Sequence, residues 1–217
     1  MSSDPAIEWS NLVEEIVKCR KCRLHALRRN PVPGEGPLDA KIMFIGEAPG
    51  EKEDEQGRPF VGPAGKLLNK LLESINLNRN EVFITNIVKC RPPGNRDPLD
   101  DEVEACIGYL WRQIKLIKPK IIVALGRHAA RTLFHAANLK WDSMSQRHGR
   151  IHDIEVLGVK VILIPTYHPA AALYNPRLRK VLESDFRKIG EVLRSELKPS
   201  KPRTLLDYLS SSSRKIS

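Results

Sequence analysis

Lys41-Ile42-Met43-Phe44-Ile45-Gly46 is a short run, apolar from Ile42 to Ile45 and stopped by glycine. A strand that is apolar on both faces belongs inside a sheet covered on both sides, because a half-solvated strand alternates. The pattern returns in Val82-Phe83-Ile84-Thr85-Asn86-Ile87, in Ile121-Ile122-Val123-Ala124-Leu125 before Gly126, and in Val161-Ile162-Leu163-Ile164. Amphipathic stretches separate these runs. Residues 63–76 put Leu67, Leu68, Leu71, Leu72 and Ile75 on one helical face; 99–117, 127–136 and 176–196 also read as helices. An earlier helix at 6–18 carries Ile7, Leu12, Val13, Ile16 and Val17 at helical spacing. Residues 151–156 and 160–164 are β-rich and flank a turn at Leu157-Gly158. Strands alternating with helices predict an α/β fold. It is a single three-layer α/β/α sandwich over residues 1–197, with a central, mainly parallel four-stranded sheet.

The chain has 217 residues, 41% of them hydrophobic, enough for one compact core. No apolar run of about 18 residues is present, and the start Met1-Ser2-Ser3-Asp4-Pro5 lacks the basic and apolar segments of a secretory signal. The expectation is a soluble, cytoplasmic monomer with no membrane contact. Net charge is +10, which favours polyanion partners through counterion release. The excess is not confined to the tail at 198–217, where Lys198, Lys201, Arg203, Arg214 and Lys215 face Asp207 alone. The 16 prolines and 29% charged residues, with few glutamines, lean toward a heat-adapted protein.

In parallel sheets ligands bind beyond the carboxyl ends of the strands, so the segments after Ile45, Ile84 and Ile164 carry the functional information. The first is Gly46-Glu47-Ala48-Pro49-Gly50-Glu51-Lys52-Glu53-Asp54-Glu55-Gln56-Gly57-Arg58-Pro59-Phe60-Val61-Gly62. It reads either as a solvated acidic loop or as a glycine-rich cradle that lets backbone amides approach a ligand. Gly65-Lys66 superficially suggests a phosphate loop. Phe60 occupies the first glycine position and Leu67 the Ser/Thr position, which excludes nucleotide hydrolysis. Asn86, late in an apolar strand, either caps a turn or reads an imide edge, since one amide both donates and accepts. His168, in Pro165-Thr166-Tyr167-His168-Pro169, is either structural or aimed at an anion developing on a substrate.

Four cysteines form the pattern Cys19-x2-Cys22, then Cys90 and Cys106 as separated singles. In a chain without a secretory signal these are metal ligands or buried residues before they are disulfides. Spacing alone leaves zinc and an iron–sulfur cube near parity, with Cys106 as a plain buried residue the simplest alternative. Lys18, Arg20, Lys21 and Arg23 beside the doublet would offset a cluster's charge and also suit phosphate.

The Gly46-Glu47-Ala48-Pro49-Gly50 run, Gly57-Arg58-Pro59-Phe60-Val61-Gly62, Thr85-Asn86 and His168-Pro169 stand in the order seen in the uracil-DNA glycosylase superfamily. With the cysteine pattern the chain resembles family 4, the iron–sulfur type of archaea and thermophilic bacteria, over residues 19 to about 195. Glu47 favours family 4 over family 5, whose motif lacks that carboxylate. The resemblance implies excision of uracil from single- or double-stranded DNA and a [4Fe–4S] cluster on Cys19, Cys22, Cys90 and Cys106. It also implies that Phe60 stacks on the flipped uracil, Asn86 reads its Watson–Crick edge and His168 stabilises charge on O2. Glu47 would polarise water or steady the sugar cation, and the backbone at Ala48 would contact the base. Glu53 would crowd out the 5-methyl of thymine, and Leu173 would wedge into the hole the base leaves. The best-known uracil glycosylases carry Asp where Ala48 stands, which leaves open how the water is activated.

Two other classes compete. A ferredoxin-like electron carrier would need neither Asn86 nor His168, and a non-catalytic DNA-binding module would need no aromatic, amide and imidazole at three strand ends. A glycosylase for another deaminated base, such as hypoxanthine, remains within the enzyme class. In the basic tail at 198–217, Leu205, Tyr208 and Leu209 fall at i, i+3 and i+4. That spacing resembles the motif by which repair proteins dock on the PCNA sliding clamp, although Pro202 stands where Gln is usual and Leu209 replaces the second aromatic.

Overall fold

The computed structural model describes residues 4–197. The tail at 198–217, with its clamp-motif expectation at Leu205, Tyr208 and Leu209, lies outside the described residues. The chain runs α1 (Pro5–Lys18), β1 (Ile42–Gly46), α2 (Glu51–Gln56), α3 (Pro63–Glu73) and β2 (Phe83–Asn86). It continues with α4 (Asp100–Ile117), β3 (Ile121–Leu125), α5 (Arg127–Ala136) and α6 (Met144–Arg147). β4 (His152–Val156), β5 (Val159–Thr166), α7 (Pro169–Ala172) and α8 (Pro176–Leu197) complete it.

The sheet has five strands in the order β2-β1-β3-β5-β4. β1, β2, β3 and β5 are parallel, and β4 runs antiparallel to β5. The expected four-stranded count is therefore one short. The added strand alternates in burial, with Ile154 and Val156 inward and Asp153 and Glu155 outward. That is the signature of an edge strand and not of a doubly covered one. The turn at Leu157 and Gly158 has positive φ at both residues, 54° and 82°, as a two-residue type I′ hairpin requires.

Successive residues of each central strand feed opposite layers. Met43, Ile45, Ile122 and Ala124 pack under α1, α4 and α5, while Ile42, Phe44, Ile121 and Val123 pack under α3 and α8. The chain leaves β1 toward β2 on one side and returns to β3 on the other, so a crevice opens at the carboxyl end of β1, where strand order reverses. The acidic run after β1 is not a loop throughout. Residues 51–56 form the short helix α2, closed by Gly57 at φ 67°, and Asp54 is buried with its carboxylate accepting the Arg29 N–H at 3.0 Å.

Candidate active site

Three strand ends converge on one cavity of about 590 Å³. Its wall includes Glu47, Ala48, Glu53, Phe60, Asn86, His168 and Leu173. Every residue singled out from the strand ends thus shares one space. Parallel register places Asn86 directly beside Gly46, the pair closing the β1–β2 ladder. A Cβ at position 46 would lie 2.4 Å from Asn86 Oδ1 and 2.8 Å from Phe60 Cζ, so only glycine leaves room for this arrangement.

Asn86 is 1% exposed, and its Oδ1 is buried without a hydrogen-bond partner among the described residues. An orphaned carbonyl oxygen costs about 1–3 kcal/mol and persists where a ligand supplies the missing donor. The strand end beneath it is held by Lys89, whose Nζ donates to the Asn86 carbonyl (2.6 Å), Thr85 Oγ1 (2.8 Å) and Gln113 Oε1 (2.8 Å). Burial pushes the Lys89 ammonium down to about 7. The Phe60 ring stands 5.5 Å from the His168 ring, tilted by 31°.

His168 caps α7: its Nδ1 accepts the Ala170 N–H at 3.2 Å. A neutral ring that accepts at Nδ1 carries its proton on Nε2. Burial holds this imidazole at a pKa of about 4, with the Glu53 carboxylate opposing. At neutral pH it is therefore an uncharged donor. Glu53 lines the cavity, but its Oε1 also accepts the Val61 and Gly62 N–H groups, both at 2.8 Å. Leu173 sits on the rim, 36% exposed.

Glu47 belongs to a cluster. Its carboxylate, that of Asp97 and the His128 ring lie within 4.8 Å of one another. His128 Nε2 is 3.1 Å from Asp97 and 3.9 Å from Glu47. Burial, and then the Asp97 charge, push Glu47 up to about 7, with Arg127 opposing. Asp97, Arg127 and His128 escaped the sequence reading. The signal was available, since Arg127-His128 follows Gly126 at the carboxyl end of the remaining parallel strand, β3.

A family model of the uracil DNA glycosylase superfamily matches residues 33–193. The chain belongs to that superfamily. It is 55% identical to the type-4 uracil-DNA glycosylase of Saccharolobus solfataricus, over 91% of this chain and 90% of the relative. Identity to the type-4 uracil-DNA glycosylase of Archaeoglobus fulgidus is 52%, over 92% of this chain and 98% of the relative. A type-5 uracil-DNA glycosylase of Pyrobaculum aerophilum is more distant, at 29% over 77% of this chain and 84% of the relative. The distinction drawn from Glu47 thus points the same way as overall similarity.

This glycosylase has a second candidate site. Cys19, Cys22, Cys90 and Cys106 line one small cavity together with Lys89, Arg28 and Tyr109. All four are free thiols. Burial pushes the Cys90 thiol up and the Cys106 thiol to about 11. Donors already face two sulfurs: Arg28 Nη1 reaches Cys90 Sγ at 3.1 Å and the Lys89 N–H reaches Cys106 Sγ at 3.3 Å. Four cysteines lining one cavity, two of them already facing donors, fit a thiolate-bound metal centre. Of the basic residues expected to balance such a charge, Lys18 is paired with Glu14 and Arg23 with Asp101. Arg28, which the sequence reading missed, supplies the sulfur contact.

Proposed function

We propose that the chain removes uracil from DNA as a monofunctional glycosylase, drawing the flipped base into this cavity and hydrolysing its N-glycosidic bond to leave an abasic site. The observation that carries this reading is the orphaned Asn86 Oδ1, buried beside an aromatic face and a neutral imidazole donor. The Asn86 amide would accept from uracil N3–H and donate to O4, while Phe60 stacks on the ring. His168 Nε2–H would donate to O2 as negative charge builds on the departing base. Being uncharged beforehand, it would give no proton to the ground state. Glu47, as a carboxylate, would steady the sugar cation or polarise the attacking water; Ala48 would meet the base through its backbone. Glu53 would hold the Phe60 loop where it excludes a 5-methyl group, and Leu173 would fill the vacated stack. The reading is tested on oligonucleotides bearing uracil, hypoxanthine, or thymine opposite guanine. Cleavage confined to uracil supports it; cleavage of hypoxanthine alone overturns it.

The pH profile follows from Glu47. Asp97, Arg127 and His128 face its carboxylate. A raised pKa means that the active carboxylate appears only as pH rises through about 7. The single-turnover rate should climb through that region, while His168, neutral above about 4, adds no second limb there. Glu47→Gln should be slow and flat with pH. A Gln variant that keeps the wild-type profile would remove Glu47 from the mechanism.

Cys19, Cys22, Cys90 and Cys106 would hold a [4Fe–4S] cluster, with Arg28 and the Lys89 amide donating to its sulfur ligands. When bound, such a group supplies a covalent cross-link between the segment after α1 and the β2–α4 region, and no step at the base. Anaerobically purified protein should be brown and contain about four irons per chain, and Cys106→Ser should lower both iron content and the thermal midpoint. Stoichiometric zinc without iron or sulfide is the opposing result. We further read the tail as a tether to a PCNA-type sliding clamp through Leu205, Tyr208 and Leu209, on sequence spacing alone. The full chain should bind the clamp where a chain ending at Lys198, or Tyr208→Ala, does not. Equal binding by all three would remove the tether.

A further inference from the structure

Phe60 adopts φ +51° while 5% exposed, a backbone conformation uncommon for a residue with a bulky side chain. Such a conformation persists where the surroundings over-determine it. Two side chains grip the loop, one by its amides and one by its carbonyls. Glu53 takes the Val61 and Gly62 N–H groups. The guanidinium of Arg79 donates to the carbonyl of Pro59 and, at 3.0 Å, to that of Phe60.

Arg79 stands in the single turn Arg79–Glu81 that precedes β2, and it does not line the active-site cavity. Its remaining contacts anchor it. Nη1 also meets Asn69 Oδ1 at 3.2 Å, and Nε meets Glu35 Oε1 at 2.8 Å. Glu35 in turn exchanges two backbone hydrogen bonds with Ile84 of β2, at 3.0 and 2.8 Å. The fork is thereby tied to the same strand that carries Asn86. From the other side α3 presses on the Phe60 peptide, where a Cβ on Gly65 would lie 1.8 Å from the Phe60 oxygen. A planar fork can serve two successive carbonyls and a carboxylate at once; an ammonium has three donors on one nitrogen and cannot span them.

We propose that Arg79 is a positioning residue for base recognition: it holds the Pro59–Phe60 carbonyl pair so that the Phe60 ring faces the base site before a base arrives. This rests on the reading of Phe60 as the stacking residue. Arg79 then contributes pre-organisation, sparing the loop an ordering cost on binding.

The test compares wild type, Phe60→Ala, Arg79→Lys, the double variant and Glu35→Gln in single-turnover excision and in inhibition by free uracil. Arg79→Lys should weaken uracil inhibition and slow excision about tenfold, with affinity for undamaged DNA unchanged. Added to Phe60→Ala, the same change should cost little more, because no ring remains to be positioned. Additive losses would show that Arg79 acts independently of Phe60 and overturn the proposal. If Arg79→Lys does not fold, Glu35→Gln decides: weakened uracil inhibition supports the proposal, and unchanged inhibition overturns it. Undiminished inhibition in Phe60→Ala is a separate outcome that refutes the stacking reading itself.

Discussion

Asn86→Ala is expected to lower kcat/KM for uracil excision by about 10³-fold or more while leaving the fold at least as stable as before. The first half follows from the cavity. Truncation would leave uracil N3–H and O4 without the partners proposed for them, and each unmade bond costs about 1–3 kcal/mol. Sites built to hydrogen-bond a substrate discriminate by about 10⁴–10⁵ when that pairing is lost. The second half follows from Oδ1 having no partner among the described residues. Its removal takes away a desolvated acceptor and breaks no internal bond of that atom. A structural asparagine would behave in the opposite way, with stability falling and activity following it. Asn86→Asp adds a check on base identity. Its carboxyl, when protonated, presents a donor where the amide oxygen accepted, so weak cleavage of cytosine is the expected gain. Single-turnover cleavage and thermal unfolding of the same preparations measure both halves. An alanine variant retaining wild-type turnover ends the assignment.

His168→Ala should reduce the single-turnover rate about 10²- to 10³-fold, the usual loss for one oxyanion donor, with DNA affinity nearly intact. The size of the defect should not vary between about pH 5 and 9, because burial already keeps the ring neutral above about 4. A charged imidazole would give a defect that fades as pH rises through the ordinary histidine range, which is the result that contradicts this account. The neutral form also explains the Ala170 contact. By occupying Nδ1 as an acceptor, the backbone directs the proton to Nε2.

The parts of this site differ in how far they were visible beforehand. Asn86, His168 and the Glu47 segment stood out because polar residues at the ends of apolar strands are costly without a purpose. The count of strands fell one short because β4 alternates, and an alternating segment beside a hairpin can lie at a sheet edge or outside the sheet. Glu53 was read as a wall against the thymine methyl. The structure also engages it with the amides of Val61 and Gly62, a contact with a loop that sequence reading cannot position. Lys89 was given no role in the sequence reading, yet it is fully enclosed and supports the Asn86 backbone. A lysine gives no sign in sequence that it will be buried.

What the sequence by itself determined was the layer order and the end of the sheet at which Glu47, Asn86 and His168 gather. Each is a consequence of local periodicity: strands apolar on both faces must be covered by helices, and a parallel sheet gathers its strand ends on one side. What only the tertiary structure decided was the state in which those residues wait. The neutral His168, the raised Glu47, the orphaned Asn86 oxygen and the Phe60 conformation held by Arg79 all depend on burial and on groups from distant segments. Desolvation and hydrogen-bond geometry depend on three-dimensional neighbours, so they exist only once the layers have closed.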